Sequence, residues 1–126
     1  MSTDKKQELL IKAREATGKI LYSVITGAIS TFEATKYFPK NIDDTSIKIA
    51  WHALLHYDAD EEIRQQDPDY AQEQLKYLEL LAKILSEGKQ LPDNMLYDYE
   101  ALYKDTILPK KYDLWGKLKA FFRFTN

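Results

Sequence analysis

The most constraining stretch of this chain lies between Asp67 and Gly88. Within it Ala71, Leu75, Leu78, Ala82 and Leu85 recur at alternating steps of four and three, the period that places side chains on one face of an α-helix. The punctuation agrees with the period. Asp67-Pro68-Asp69 offers an N-cap, a proline at the first helical position and an acid in the first turn, where the helix dipole favours it. Gly88 supplies the C-terminal stop. A helix over 68–87 must bury its apolar stripe against other elements, and two heptads are too few for a free coiled coil. The pattern therefore predicts antiparallel packing inside a bundle.

The rest of the chain supplies partners for that helix. Asp4 is a candidate N-cap, and Leu9, Ala13, Ala16, Ile20, Val24 and Gly27 form a stripe that predicts a helix over 5–37. A second row of Leu21, Ile25, Ala28 and Phe32 widens the face. Pro39 disfavours helical geometry in Phe38 and ends the element. Gly18 and Gly27 each cost about 1 kcal/mol against alanine in a helix interior, which close approach of a neighbouring helix, or a kink, would explain. Residues 41–45 read as a loop carrying an N-cap. Ile47, Ala50, Trp51, Leu54 and Tyr57 then predict a helix over 45–65. Leu91-Pro92-Asp93-Asn94 opens a helix over 93–104, and Leu108-Pro109 breaks the chain again. Leu114, Trp115, Leu118, Phe121 and Phe122 predict a last amphipathic helix over 111–124. The expected fold is all-α: a single-domain helical bundle over 1–126, with an antiparallel three-helix core plus two short C-terminal helices. The four Gly and four Pro are too few for a turn-rich β fold.

Composition removes several function classes. A formal charge of −2 leaves no overall electrostatic footprint for nucleic acid, so no such partner is expected. Without cysteine there are no disulfides, thiolate metal ligands or cysteine nucleophiles. The polar start lacks the apolar region of a signal peptide. Ser23, Thr26 and Ser30 interrupt the longest apolar stretch, which falls short of the ~20 residues that span a bilayer. A soluble, cytoplasmic protein is the expectation. Glycine-rich phosphate loops, Ser/His/Asp motifs and nucleotide fingerprints are missing from the sequence, and no cofactor is expected.

The second predicted helix holds the most unusual cluster. His52, His56 and Asp60 share one face at i, i+4, i+8, and two histidines four apart can chelate a divalent ion. The zinc-protease pattern, however, needs glutamate directly after the first histidine, where this chain has Ala53. The same residues suit a solvated polar face or a subunit contact. On the other side, Asp58 continues the Ile47, Trp51, Leu54 stripe, with Glu61 and Glu62 flanking it. A carboxylate aimed at a core needs partners, and Arg14, Lys19 or a tyrosine hydroxyl would serve. Asp58 and Glu62 are thus candidates for functional or buried polar groups, an acid/base site among the options; alternatively the helix leaves the core there and Asp58 meets water. The acidic run resembles a calcium loop only superficially, because it lacks the sixth-position glycine and sits inside a helix.

Charge is also segregated. Residues 104–126 carry a net +4 and the rest of the chain −6, and half of the sixteen aromatics fall in the last thirty residues. Trp115, Lys117, Phe121 and Phe122 mark a candidate partner surface. Such a helix could fill a partner's groove, contact an anionic membrane through residues 110–124, or pack against a second copy in a homodimer. It could equally lid its own bundle, with its lysines facing the acidic stretch 58–73. The functional expectation is a small, soluble, non-enzymatic protein–protein interaction or regulatory module. The alternatives are a small metal-dependent or acid/base site at His52, His56, Asp58 and Asp60, and peripheral membrane association through the last helix.

Overall fold

A computed structural model describes residues 2–103, and over this range the protein is helical with no strand. Six helices follow one another: α1 (Ser2–Ile25), α2 (Thr31–Tyr37), α3 (Thr45–Ala59), α4 (Glu61–Gln66), α5 (Pro68–Ser86) and α6 (Asp93–Tyr103). The last predicted helix, 111–124, with Trp115, Lys117, Phe121 and Phe122, lies outside the described residues.

The all-α bundle is present, and α1, α3 and α5 form its core. Helix α5 runs antiparallel to α1: Ile11 packs at Gly88, while Gly18 packs at Ala82 and Ser86. It is also antiparallel to α3, since Tyr70 and Gln74 near its start bond Asp60 just past the end of α3. Leu21, Leu54, Leu78, Leu81 and Leu85 are fully buried where the three meet. No helix among the described residues is long and apolar enough to cross a membrane.

Helix α5 matches its expected bounds because its ends are decided locally. The Asp67 side chain accepts from Tyr70 N–H at 3.1 Å. At the other end Gly88 N–H donates to Leu85 O and Lys89 N–H to Ile84 O, the paired bonds of a Schellman turn.

Two predicted helices are each two helices. The element expected over 5–37 stops at Ile25, because Gly27 adopts φ +79°, a left-handed conformation that only glycine takes without strain. Gly27 N–H then bonds Val24 O and Ala28 N–H bonds Ser23 O. Ser30 restarts the chain as the N-cap of α2, accepting from Glu33 N–H at 3.1 Å and donating to the Glu33 carboxylate at 3.4 Å. Helix α2 therefore folds back along α3 instead of prolonging α1. The apolar residues around this turn had masked a serine–glutamate capping pair. The element expected over 45–65 bends at Asp60 (φ −100°, ψ 15°), where α4 leaves the line of α3.

The buried face of α1 keeps Ala13 and Val24 of the expected stripe and Leu21 of its second row, but adds Arg14 and Thr17, whereas Leu9 and Ala16 are exposed. Apolar periodicity could not find the two central positions that are polar. Thr17 is satisfied by donating to Ala13 O at 2.8 Å. Arg14 pairs with Asp44, its Nη2 2.9 Å from Oδ1 and its Nε 3.3 Å from Oδ2.

Candidate functional site

Of the candidate residues in the described part, helix α3 carries His52, His56 and Asp58, Asp60 is its C-cap, and Glu62 lies in the first turn of α4. Its three flanks differ in character.

The flank toward α5 holds the buried acid, and that acid is Asp60. Of the two readings of Asp58, the one in which it meets water holds: Asp58 and Glu62 are exposed, whereas Asp60 is 2% exposed. Asp60 continues the buried face of Ile49, Ala53 and His56 at helical spacing, whereas Asp58 lies on the flank toward α2, where Thr31 donates to it. Asp60 accepts from the Tyr70 hydroxyl at 2.7 Å and from Gln74 Nε2 at 3.1 Å. Arg64 closes the network by donating to Gln74 Oε1 at 2.9 Å and to the Tyr57 carbonyl, with its guanidinium 3.7 Å from the Tyr57 ring centroid. Each of these groups is occupied in locking α4 and α5 to the end of α3, which is a structural use of a buried carboxylate.

The flank toward α6 holds His52. Its Nδ1 lies 3.1 Å from the Lys48 carbonyl and 2.8 Å from the Tyr99 hydroxyl. In the Nδ1–H tautomer the ring donates to Lys48 O; in the other tautomer Tyr99 donates to Nδ1. Burial pushes the His52 imidazole below its usual range, with the Lys48 carbonyl opposing the shift. Burial also pushes the Tyr99 phenol up to about 12. His52 and His56 keep their i, i+4 relation, but His52 turns toward Tyr99 and Asp60 toward Tyr70 and Gln74. Among the described residues no three His, Asp or Glu side chains come together in a group that could hold a metal.

A pH effect follows from His52. Its folded pKa lies below its unfolded value of 6.5, so its contribution to stability is fully present above 6.5 and is lost as pH falls from there through the folded value. Between about pH 7.5 and about pH 5, the urea midpoint of wild type is expected to fall further than that of His52→Gln. His56 is present in both proteins and cancels in the difference. Parallel pH profiles for the two would show that His52 is not linked to folding.

The third flank, toward α2, is open and apolar. Trp51 stands between two clefts. One, of about 360 Å³, is lined by Phe38, Pro39, Ile42, Ile47 and Trp51. The other, of about 250 Å³, is lined by Phe32, Leu54, Leu55 and Asp58. Both share Trp51 and Thr35. Beyond Ile42 a third cleft, of about 370 Å³, continues past Leu9 and Leu10. The first two clefts thus share Trp51 and the first and third share Ile42, forming a largely apolar groove along α2 and α3 with Lys40 and Lys48 at one side. Phe38 fixes the Trp51 ring edge-on, with centroids 5.2 Å apart. Phe32 is 68% exposed, Tyr37 65% and Leu55 39%. Lys36 lies 4.6 Å from the Phe32 ring centroid. At the far end Thr31 donates to Asp58 at 2.5 Å, tying α2 to α3 across the groove.

Sequence reasoning missed this groove because it placed Phe32 on the buried face of a continuous first helix. The signal that would have exposed it was local: Ser30 and Glu33 as a capping pair, with Gly27 three residues before it. No protein-family model matches the chain, and neither a curated protein nor a solved structure is detectably similar to it.

Proposed function

We propose that the protein is a non-enzymatic binding module that accepts an apolar segment of a protein partner in the groove along α2 and α3. The observation that carries this reading is the row of neighbouring clefts that share Thr35, Trp51 and Ile42, with Phe32 and Leu55 exposed in their walls. Contiguous apolar surface flanked by polar residues characterises interaction sites on soluble domains, and a groove along two helices suits an amphipathic helix with apolar residues at i, i+3, i+4 and i+7. Trp51, which lines two of the clefts, belongs to the residue types that concentrate binding energy at the centre of interfaces. The polar groups of the α5 and α6 flanks are engaged in holding helices together, which leaves the α2 flank as the surface best suited to a partner.

The test is capture from a lysate with three immobilised full-length proteins: wild type, Phe32→Glu/Leu55→Glu, and Leu80→Glu. Leu80 is also exposed but sits on α5, so its variant controls for added surface charge. Partners retained by wild type and by Leu80→Glu are expected to be lost by the groove variant, with a loss of at least about tenfold for two central contacts. Identical partner sets from all three proteins would remove the groove from consideration.

A further inference from the structure

The groove is apolar along its floor but unevenly charged along its rim. At the start of α3, Lys40 and Lys48 line the cleft formed by Phe38, Ile47 and Trp51, and Lys6 lines the cleft beyond Ile42. All three lysines are exposed, and among the described residues the one acid lining these two clefts is Asp43. At the other end, toward Phe32 and Leu55, the charged lining residue is Asp58. We propose that the occupant of the groove is a partner segment with an acidic end. An apolar residue of that segment enters the cleft beside Trp51, and Asp or Glu side chains next to it meet Lys40, Lys48 and Lys6. This preference rests on the groove being a docking site, and it gives the partner a chemistry and a direction along the groove.

The lysines at this end are able to take a new carboxylate. Among the described residues Lys6 and Lys40 make no ion pair. Lys40 stands between Pro39 and Asn41, whose φ is 64°. Proline fixes its own φ and the left-handed region is narrow, so the backbone carrying Lys40 is held beside the cleft. Lys48 Nζ is 2.8 Å from Asp43 Oδ1, but both side chains of that pair are largely exposed. Such bridges are weak, because water solvates both charges and two side chains lose freedom in making them. A partner's carboxylate can therefore replace Asp43 on Lys48, and a docked apolar segment excludes water from the new pair and strengthens it. Outside residues 104–126 the chain carries −6, which by itself would favour a basic partner. Charges more than about 8 Å away are largely screened at physiological salt, however. The rim lysines, which the carboxylates touch, then outweigh acids farther off, so an acidic preference is diagnostic of this end of the groove.

Selection from a display library of random peptides on immobilised full-length protein tests the preference. Peptides of about 14 residues suffice, since a helix of that length spans about 21 Å and the 15 residues of α3 span about 22 Å. Recovered peptides are first sorted by their loss of binding to Phe32→Gln/Leu55→Gln, which removes apolar wall without adding charge. Those that depend on the groove are expected to carry Asp and Glu about threefold above the unselected library, and to bind Lys40→Glu/Lys48→Glu about tenfold more weakly than wild type. Leu80→Glu, which adds a charge on α5, should leave their affinity unchanged. Every substituted residue is exposed, so the variants keep the fold. Groove-dependent peptides without acidic enrichment, or indifferent to Lys40→Glu/Lys48→Glu, would overturn the acidic preference and keep the groove. Recovery of no peptide that depends on Phe32 and Leu55 would remove the groove itself, and the preference with it.

Discussion

Replacing Asp44 with alanine is expected to destabilise the protein by about 3–5 kcal/mol, one of the two largest effects of a single substitution in this fold. Asp44 and Arg14 are 8% and 7% exposed, and their pairing joins α1 to the start of α3. Arg14 Nη1 also reaches the Gly88 carbonyl at 3.5 Å, where α5 ends, so one guanidinium touches all three core helices. Removing the carboxylate leaves that cation buried without its counter-charge, which costs far more than the net worth of the pair. A smaller loss adds to it, because Asp44 Oδ2 also accepts from Ile47 N–H at 3.2 Å as the N-cap of α3. Asp44→Asn separates the two contributions: asparagine caps as well as aspartate does but carries no charge. Urea unfolding of wild type, Asp44→Ala, Asp44→Asn and Arg14→Met/Asp44→Ala measures the set. The double variant, which removes both charges, should be more stable than Asp44→Ala alone. A single-variant loss below about 1 kcal/mol would place the pair among weak surface bridges instead.

The second large effect has an informative sign. In an exposed helix, Gly→Ala stabilises by about 1 kcal/mol. Gly18→Ala is expected to destabilise by about 2–3 kcal/mol. A Cβ at residue 18 would lie 2.4 Å from Ser86 N and 2.8 Å from Ala82 O, both backbone atoms of α5. Side chains can rotate away from such a contact, but backbone cannot. Helices α1 and α5 would have to separate, loosening the packing of Leu21, Leu78, Leu81 and Leu85 that depends on their approach. Thermal or urea unfolding of Gly18→Ala reads the result directly. A midpoint equal to or above wild type would show that the two helices can part without cost. Glycine at residue 18 therefore serves close approach, one of the two explanations offered by the sequence, whereas at residue 27 it ends the helix in a left-handed turn instead of kinking it.

These two contacts show how the protein divides between what is legible along the chain and what is not. Helix α5, its aspartate cap, its proline and its terminal glycine were all readable, since the interactions that start and stop a helix act within about four residues. The start of α6 at Asp93 and the stop before Pro39 were readable for the same reason. The amphipathic pattern assigned Ile47, Ala50 and Leu54 to the core, and all three are buried. Periodicity was misleading where polar residues take core positions, as Arg14 and Thr17 do in α1, where a turn is hidden in an apolar run, as at Gly27, and at Asp58, which continues the stripe of α3 yet is exposed.

By itself, then, the sequence determined an all-α bundle, the position of its most regular helix and the segregation of charge toward the C-terminal end. Tertiary structure alone decided which carboxylates are buried. Asp60 rather than Asp58 enters the interior, because Tyr70 and Gln74 of α5 cover its side of α3 while Asp58 faces α2. Asp44 does so because Arg14, thirty residues earlier, stands opposite it. The groove along α2 and α3 likewise exists only once α2 has folded back and left Phe32, Trp51 and Leu55 on a common surface. The physical reason is the same in each case. Caps and periodicity are local and repeat with the helix, whereas burial of charge and exposure of apolar surface depend on which distant side chains meet, and no spacing along the chain encodes that.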